Sequence, residues 1–336
     1  MKKAVIALSV LVVALAAALM FTVFGSEEII VAVEDLDAAE LKIDTYVESS
    51  HIITVATARN LIGTLDDVVV VDIRKAADFA LGHIPGSQNI FRGDYSADSS
   101  VYGFGGMRTD RAGLETLLGE MGVTDETMIL AYDAKGDYDA ARFWWQLDMQ
   151  GFRNVKLIDG GINAWEAAGY EVATGASSAV VEATDFRFMN EENLQRVATV
   201  ADVIAAQDDP NVVLLDTRSI GEFTGEDMKS GAVRAGRIPG SVWLEYKASL
   251  GENTTFLDVE TLRAQFAEIG VTPEKTIIAY CQSGVRSAHT TFVLASLLGF
   301  NDVRNYDGSW IEWSHDEGLA LEIGMPVEVE MRLAGN

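Results

Sequence analysis

A single cysteine is the residue of this sequence best suited to nucleophilic chemistry. Cys281 is the one thiol among 336 residues, and it lies in the stretch AYCQSGVRSAH, residues 279–289. The residues before it, 276–280, are typical of a buried β-strand, and a helical pattern begins after it. A loop between a strand and a helix presents backbone N–H groups and a helix N-terminus, which stabilise a thiolate. This position predicts a reactive nucleophile, with a small buried structural cysteine as the alternative.

The six residues from Cys281 to Arg286 can curl around one sulfur atom with successive N–H groups pointing inward. Gly284 permits the backbone turn that such a loop requires, and Arg286 adds a full positive charge beside the helix N-terminus. We therefore predict that the thiol pKa is lowered. The residues expected to bind the substrate in this loop are Gln282, Ser283, Gly284, Val285 and Arg286.

Composition excludes several classes of function. The chain has 51 acidic and 25 basic residues and a formal charge of −26, which argues against a nucleic-acid partner because phosphate binding requires clustered Lys and Arg. One cysteine allows no intramolecular disulfide. The four histidines are scattered without the spacing of metal ligands, so neither a metal site nor a cofactor is predicted.

The N-terminus predicts a membrane segment. Lys2 and Lys3 precede an uncharged run over residues 4–25, and two glutamates follow it. About 20 apolar residues in a helix span a bilayer, and the flanking charges place the following chain outside the cytoplasm. We expect residues 1–28 to be an anchor or signal segment and 29–50 an acidic spacer. The expected location is extracytoplasmic and membrane-anchored, with secretion after signal cleavage as the alternative.

Two parts of the chain repeat each other. Residues 68–90 match 211–244, with Asp-x-Arg and Ile-Pro-Gly-Ser in both. Residues 128–145 likewise match 276–293, and 154–169 match 302–318. The spacing from Asp133 to Asp159 equals that from Cys281 to Asp307, namely 26 residues. The sequence is therefore a tandem duplication in which Asp133 takes the place of Cys281.

Each repeat predicts an α/β domain with a small parallel sheet flanked by helices. Short apolar runs alternate with amphipathic helical segments, which is the pattern of βα units. Predicted strands cover 67–72, 128–132, 154–158, 212–216, 276–280 and 302–305. The expected domains are residues 51–174, without the cysteine, and 190–326, with it, joined by a small and polar linker.

Four motifs, twice in the same order, resemble the two-domain rhodaneses, which are thiosulfate sulfurtransferases. They are Asp-x-Arg, Gly-(His/Arg)-Ile-Pro-Gly-Ser, the Cys281 loop and Tyr-Asp-Gly-Ser-Trp-x-Glu-Trp, and they cover about residues 51–325. The resemblance implies two tandem rhodanese-like domains, the first inactive and the second catalytic. It also implies that Cys281 accepts a sulfane sulfur as a persulfide and passes it to cyanide or another thiophilic acceptor. The implied partners are thus a small-molecule sulfur donor and a thiophile.

Some motifs have a structural interpretation beside a functional one. Asp72-x-Arg74 and Asp216-x-Arg218 occur in both halves, which favours structural ion pairs, although Arg218 is retained as a substrate-binding candidate. Trp310 occurs only in the second half, and it is predicted to be either a core residue or part of the pocket roof.

Several alternatives to thiosulfate sulfurtransferase remain open from the sequence. A cysteine phosphatase or arsenate reductase has five residues between Cys and Arg, whereas this loop has four. A membrane-tethered sulfur carrier without turnover is a second alternative, and 3-mercaptopyruvate as donor is a third. Arg286 favours the thiosulfate dianion. Glu222, however, stands where several two-domain rhodaneses carry an arginine that meets the donor.

Overall fold

Two parallel five-stranded sheets organise this protein, whose computed structural model describes residues 38–335. The strands of the first sheet are β1 (Ile52–Ile53), β2 (Val68–Asp72), β3 (Gln88–Asn89), β4 (Met128–Tyr132) and β5 (Val155–Ile158). Those of the second are β6 (Val197–Ala198), β7 (Val212–Asp216), β8 (Val242–Trp243), β9 (Thr276–Tyr280) and β10 (Val303–Tyr306). The spatial orders, β1-β5-β4-β2-β3 and β6-β10-β9-β7-β8, are the same arrangement twice. The α/β tandem fold predicted from the repeat is confirmed.

Helices cover the faces of both sheets, as crossover connections between parallel strands require. The first half contains α1 (Val55–Thr64), α2 (Ala76–Leu81), α3 (Ser99–Tyr102), α4 (Arg111–Glu120), α5 (Tyr138–Met149) and α6 (Gly161–Ala167). The second contains α7 (Val200–Ala206), α8 (Ile220–Thr224), α9 (Val259–Glu268), α10 (Val285–Phe292), α11 (Ser309–His315) and α12 (Val327–Gly335). A π-helical turn, Val293–Leu297, continues α10.

The register of the central strands places the ends of the repeated motifs side by side. Asp72 pairs with Tyr132 across β2 and β4, and Asp216 pairs with Tyr280 across β7 and β9. The carboxyl end of β9 therefore lies beside the Asp-Thr-Arg motif, and the N–H of Thr217 donates to the carbonyl of Tyr280 at 3.0 Å. Cys281 follows at the rim where ligands bind in open parallel sheets.

One apolar core runs through both halves. Helices α5 and α10 pack against each other, and the rings of Trp144 and Phe292 meet edge to face at 4.8 Å. Both rings belong to a single buried cluster that also includes Ala131 from the first half and Leu294 from the second. Burial of this apolar surface joins the two halves by the hydrophobic effect.

Two features fall at the predicted domain edges. Ile43 and Tyr46, within the predicted spacer, are buried in the shared core. Helix α12 lies beyond the predicted end at residue 326, and its Val329 packs with Phe223 and Trp243. The domain boundaries themselves stay predictions.

The predicted anchor over residues 4–25 lies outside the described residues, and so does the first part of the spacer. Within residues 38–335, none of the helices combines the length and the apolarity needed to cross a bilayer.

Candidate active site

The Cys281 loop begins directly after β9 and is held from behind by the start of α11. The Ser309 hydroxyl accepts hydrogen bonds from the N–H groups of Cys281, at 3.1 Å, and Gly284, at 3.0 Å. It donates in turn to the carbonyl of Tyr306 at 2.6 Å. The N–H of Trp310 donates to the carbonyl of Cys281 at 3.0 Å. The two ends of the loop are thus fixed to the same helix terminus.

Gly284 makes the turn that converts the loop into a helix start. Its φ is +73°, in the left-handed region that favours glycine, and α10 begins at the next residue. A Cβ atom at this position would lie 2.8 Å from both the Arg142 Nη1 atom and the Asp307 carbonyl oxygen. The turn predicted from the sequence is therefore present, and contacts from both halves of the protein enclose it.

The thiol of Cys281 is buried and surrounded by hydrogen-bond donors. Only 1% of the residue is exposed, and the Ser287 hydroxyl lies 3.5 Å from Sγ. Burial opposes ionisation, but the charge of Arg286 and the bonds from Ser287 and the backbone N–H of Ser283 outweigh it. The pKa of Cys281 consequently lies below that of an ordinary cysteine.

The equivalent loop of the first half binds a carboxylate. Asp133 occupies the position of Cys281, and its carboxylate accepts from the backbone N–H groups of Lys135 at 2.6 Å and Asp139 at 2.7 Å. These two residues correspond to Ser283 and Ser287, the same positions whose backbone donors reach the Cys281 sulfur. The loop is therefore an anion-binding nest in both halves, filled in the first by its own carboxylate. Burial and the nearby Asp139 raise the pKa of Asp133 to about 6, against the lowering effect of these N–H groups.

Arg286 lies beside the loop but is paired with a carboxylate. Its guanidinium donates to both oxygens of Glu222, at 2.7 and 2.8 Å. Glu222 is 1% exposed, and although burial raises its pKa, the bonds from Arg286 and Ser219 lower it to about 2. The sequence predicted the full positive charge at Arg286 but not its counterion, which the neighbouring α8 supplies.

A cavity of about 900 Å³ opens in front of Cys281, between the two halves. Gln282, Ser283, Val285 and Arg286 line it, whereas Gly284 is not part of the lining. Four further cationic side chains line the cavity, two from each half: Arg92, Lys135, Lys229 and Lys247. Arg92 is paired with Asp139 and Lys247 with Glu245, so among the described residues Lys135 and Lys229 are the cations of this group that are left to attract anions.

The other two predicted substrate contacts lie outside this cavity wall. Arg218 forms a buried bidentate pair with Asp216, at 3.0 and 2.5 Å, which confirms the structural ion pair predicted for this motif. Trp310 is 1% exposed, lies under the guanidinium of Arg218 at 4.8 Å, and donates to the carbonyl of Arg234. Substrate binding by Arg218 and Trp310 stays a prediction, and the position of the two side chains behind the loop does not favour it.

Several residues of the site were not predicted from the sequence. One difference between the repeats could have indicated Ser309: the corresponding residue of the first half is Gly161. Arg142, from the first half, donates to the Gly284 carbonyl at 3.3 Å and to an Asp307 oxygen at 2.5 Å. No spacing in the sequence indicates that pair, because it crosses between the halves.

Within residues 38–335 no group of three or more His, Cys, Asp or Glu side chains is arranged to hold a metal ion. His289 is packed against the rings of Tyr246 and Phe256, and burial lowers its pKa to about 3. The imidazole is therefore neutral at pH 7.

Comparisons with known proteins agree with the duplication. A family model described as "Rhodanese-like domain" matches residues 54–168 and again 199–316. The thiosulfate sulfurtransferase of Corynebacterium glutamicum is 30% identical over 84% of this chain and 93% of its own length. The sulfur carrier protein TtuD of Thermus thermophilus is 31% identical over 72% of this chain and 86% of its own length.

Among solved structures, the anaerobic ergothioneine biosynthesis enzyme from Chlorobium limicola superimposes with a TM-score of 0.74. The match covers 84% of this chain and 72% of that one, at 22% identity, and it supports the fold.

Proposed function

Because this chain belongs to the rhodanese-like domain family of sulfurtransferases, we propose that it moves the sulfane sulfur of thiosulfate through a persulfide on Cys281. The observation that carries the proposal is the nest around Cys281. Backbone and hydroxyl donors surround a buried thiol of lowered pKa, and the equivalent nest in the first half holds an anion, the carboxylate of Asp133.

In the first step the Cys281 thiolate attacks the outer, sulfane sulfur of thiosulfate. The bond between the two sulfur atoms of thiosulfate breaks, and sulfite leaves with the electron pair of that bond. Cys281 becomes a persulfide anion whose terminal sulfur occupies the nest. The N–H groups and the helix N-terminus stabilise this charge as they stabilise the thiolate.

In the second step the acceptor attacks the terminal sulfur, and the thiolate of Cys281 is the leaving group. With cyanide the product is thiocyanate, and the enzyme returns to its starting state. A leaving thiolate of low pKa favours this displacement. The reaction needs no general base, in agreement with a buried and neutral His289.

The cations that line the cavity serve the anionic reactants. Among the described residues, no carboxylate lies within ion-pair distance of Lys135 or Lys229, whereas Lys247 has Glu245 at 3.6 Å. The uncompensated lysines attract thiosulfate and hold the departing sulfite. The 3-mercaptopyruvate alternative differs in carrying a single carboxylate, so it gains less from two lysines.

A sulfur carrier is the second candidate function. A relative bears that name, and a cavity of about 900 Å³ is much larger than thiosulfate or cyanide. A cavity of this size suits a sulfur acceptor that is larger than cyanide and carries several functional groups. A phosphatase or arsenate reductase is disfavoured, because the loop arginine is bound by Glu222 and the loop is one residue shorter.

Turnover separates the enzyme from the carrier. Purified protein is mixed with thiosulfate and cyanide, and thiocyanate and sulfite are measured against the concentration of Cys281. Many equivalents of both products support the enzyme, and one equivalent of sulfite without thiocyanate supports the carrier. Cys281→Ala abolishes either result, whereas Asp133→Asn, the matched change in the other half, retains most of the activity. A fully active Cys281→Ala variant would overturn the proposal.

The location of the protein belongs to the same proposal. The apolar run over residues 4–25 tethers the chain to a membrane with the sulfurtransferase halves outside the cytoplasm. The test is whether the full-length chain stays with membranes after a high-salt wash and is accessible to external protease. A shortened soluble product in the medium would favour the secreted alternative.

A further inference from the structure

The ion pair between Glu222 and Arg286 is part of the cavity wall and not of the surrounding core. Both side chains line the cavity in front of Cys281, and both oxygens of Glu222 are used by the guanidinium. The Arg286 side chain keeps 16% of its surface exposed, whereas that of Glu222 keeps 1%. The carboxylate therefore lies behind the guanidinium, and the guanidinium is the member of the pair that a ligand in the cavity reaches.

Local structure holds Glu222 in this position. Ser219 is the N-cap of α8, and Glu222, three residues later, completes a capping box with it. The Glu222 Oε2 atom accepts from the Ser219 hydroxyl at 2.9 Å. The carboxylate thus keeps one orientation without depending on Arg286.

The pair occurs only in the half that carries the cysteine. The corresponding positions of the first half are Asp78, which is exposed, and Tyr138. A repeat of this chain therefore does not require the ion pair in order to fold, because the first half forms the same sheet and the same nest without it. The pair accompanies the thiol.

We propose that Glu222 determines donor specificity by competing with an anionic donor for the Arg286 guanidinium, which limits the preference of the site for dianions. This inference rests on the proposed sulfur transfer from thiosulfate. A dianion that approaches Arg286 also approaches the buried carboxylate behind it, so attraction and repulsion partly cancel. The same cancellation keeps the dianionic product sulfite from being retained.

Glu222→Gln is the central test variant. Glutamine keeps the size of the side chain and can complete a capping box, so α8 is expected to form. The change leaves Arg286 as an uncompensated cation beside the thiol. The pH midpoint of Cys281 alkylation by iodoacetamide is expected to fall by on the order of one unit, roughly a tenfold rise in thiolate at a fixed pH below the midpoint.

A double-mutant cycle separates this effect from a general disturbance of the loop. Arg286→Gln alone should raise the alkylation midpoint, and the double variant with Glu222→Gln should lie between the two single variants. Glu245→Gln is the matched control, because it removes a carboxylate from the same cavity without touching Arg286. Its midpoint should move much less than that of Glu222→Gln.

Donor selectivity is the second measurement. The ratio of kcat/KM for thiosulfate to that for 3-mercaptopyruvate should rise roughly tenfold in Glu222→Gln, since one donor is a dianion and the other a monoanion. An unchanged or lower ratio would overturn the inference, and so would an unchanged or higher alkylation midpoint. If the midpoint falls as expected but neither donor is turned over, the proposed function fails while the action of Glu222 on Arg286 stands.

Discussion

At the scale of single residues, Ser309 connects the loop of the nucleophile to the neighbouring strand. Its φ is +51°, which is uncommon for a residue other than glycine, and its hydroxyl bonds two N–H groups of the loop. The first half has Gly161 at this position, with a similar φ of +55°. The second half has a side chain here although the backbone conformation favours glycine. This indicates that the hydroxyl is needed to hold the cysteine loop.

Ser309→Ala is therefore expected to destabilise the protein and slow the reaction of Cys281. Two buried N–H groups lose their acceptor, at a cost of about 1–3 kcal/mol in the free energy of unfolding. Denaturant unfolding and the rate of alkylation measure the two effects. Ser314→Ala is the control, because Ser314 is also buried in α11 but bonds to Val233 and Ile311. It should reduce stability without changing the alkylation rate, and an equal effect of both variants on that rate would contradict the assignment.

Asp137 provides a pH-dependent test of the inactive nest. It is fully buried, and burial and then the nearby Asp133 and Asp159 raise its pKa well above the ordinary value. In the unfolded chain the pKa is about 3.9, so in the window above that value unfolding releases a proton from this group. Its contribution to stability is thus fully present below the unfolded pKa and is lost as pH rises toward the folded pKa.

Asp137→Asn should consequently stabilise the protein by about 1–3 kcal/mol at pH 7, and the gain should shrink toward pH 4. Asparagine also tolerates the φ of +62° found at this position. Urea unfolding at several pH values measures the gain, with Asp125→Asn as a control for the removal of an exposed carboxylate. A gain that does not depend on pH would show that the charge of Asp137 is not the cause.

The sequence predicted correctly those features of the site that depend on residues adjacent in the chain. Cys281, the turn at Gly284 and the helix start after it follow from local order along the chain. The Glu222–Arg286 pair and the role of Ser309 were missed, because each depends on which loops meet at the ends of non-adjacent strands. The departure at Glu222 was visible in the sequence, but its contact was not.

At the scale of secondary-structure elements, the six central strands were predicted within about one residue at each end. Four of them are mainly apolar runs, whereas β5 contains Lys156 and β10 contains Arg304 and Asn305. The edge strands β1, β3, β6 and β8 were missed, because each contains only two residues and lacks a periodic pattern. The contact between α5 and α10 was also missed. The sequence pattern predicted amphipathic helices with one exposed face, whereas every residue of α5 and every residue of α10 except Arg286 is buried.

Arg142 on α5, in the first half, forms hydrogen bonds with the Cys281 loop and its neighbours in the second half. It is 1% exposed and bonds to Asp307, to the Gly284 carbonyl and to the Gly106 carbonyl. Arg142→Met removes the nearer cation of the buried Asp307 carboxylate and leaves it only the Arg108 guanidinium, 4.0 Å away, which should cost about 3 kcal/mol. Because the Gly284 carbonyl also loses a donor, the Cys281 alkylation rate should fall as well.

The double variant Arg142→Met with Asp307→Asn is the control for this prediction. Neutralising Asp307 removes a buried charge whose remaining cation, Arg108, is 4.0 Å away, so the double variant should be more stable than Arg142→Met alone. Thermal unfolding measures the difference. Equal stability of the single and double variants would show that the buried charge is not responsible for the loss.

At the scale of the whole molecule, the two repeats form one compact unit, and residues of both line the cavity in front of Cys281. Residues from Ile43 onward form a single compact unit, and the shared core contains Phe143 and Trp144 beside Phe292 and Leu294. Arg92 and Lys135 reach the cavity from the first half. A repeat that has lost its nucleophile therefore still supplies packing and charge to the remaining one, which the asymmetry of the sequence alone does not indicate.

A fragment restricted to residues 190–336 should accordingly not fold into the structure that it has in the full chain. Without α5, the side chains of Phe292, Leu294 and their neighbours lose their cover, and burial of each large apolar side chain is worth about 1.5–3 kcal/mol. Several such losses together exceed the 5–15 kcal/mol by which a typical domain is stable. Circular dichroism melting of the fragment, compared with that of the full chain, should show no cooperative transition, and Cys281 should be alkylated with the pH profile of a free thiol, midpoint about 8.5. A fragment that melts cooperatively and keeps the lowered midpoint would show that the second half is independent and that the first acts only on the substrate.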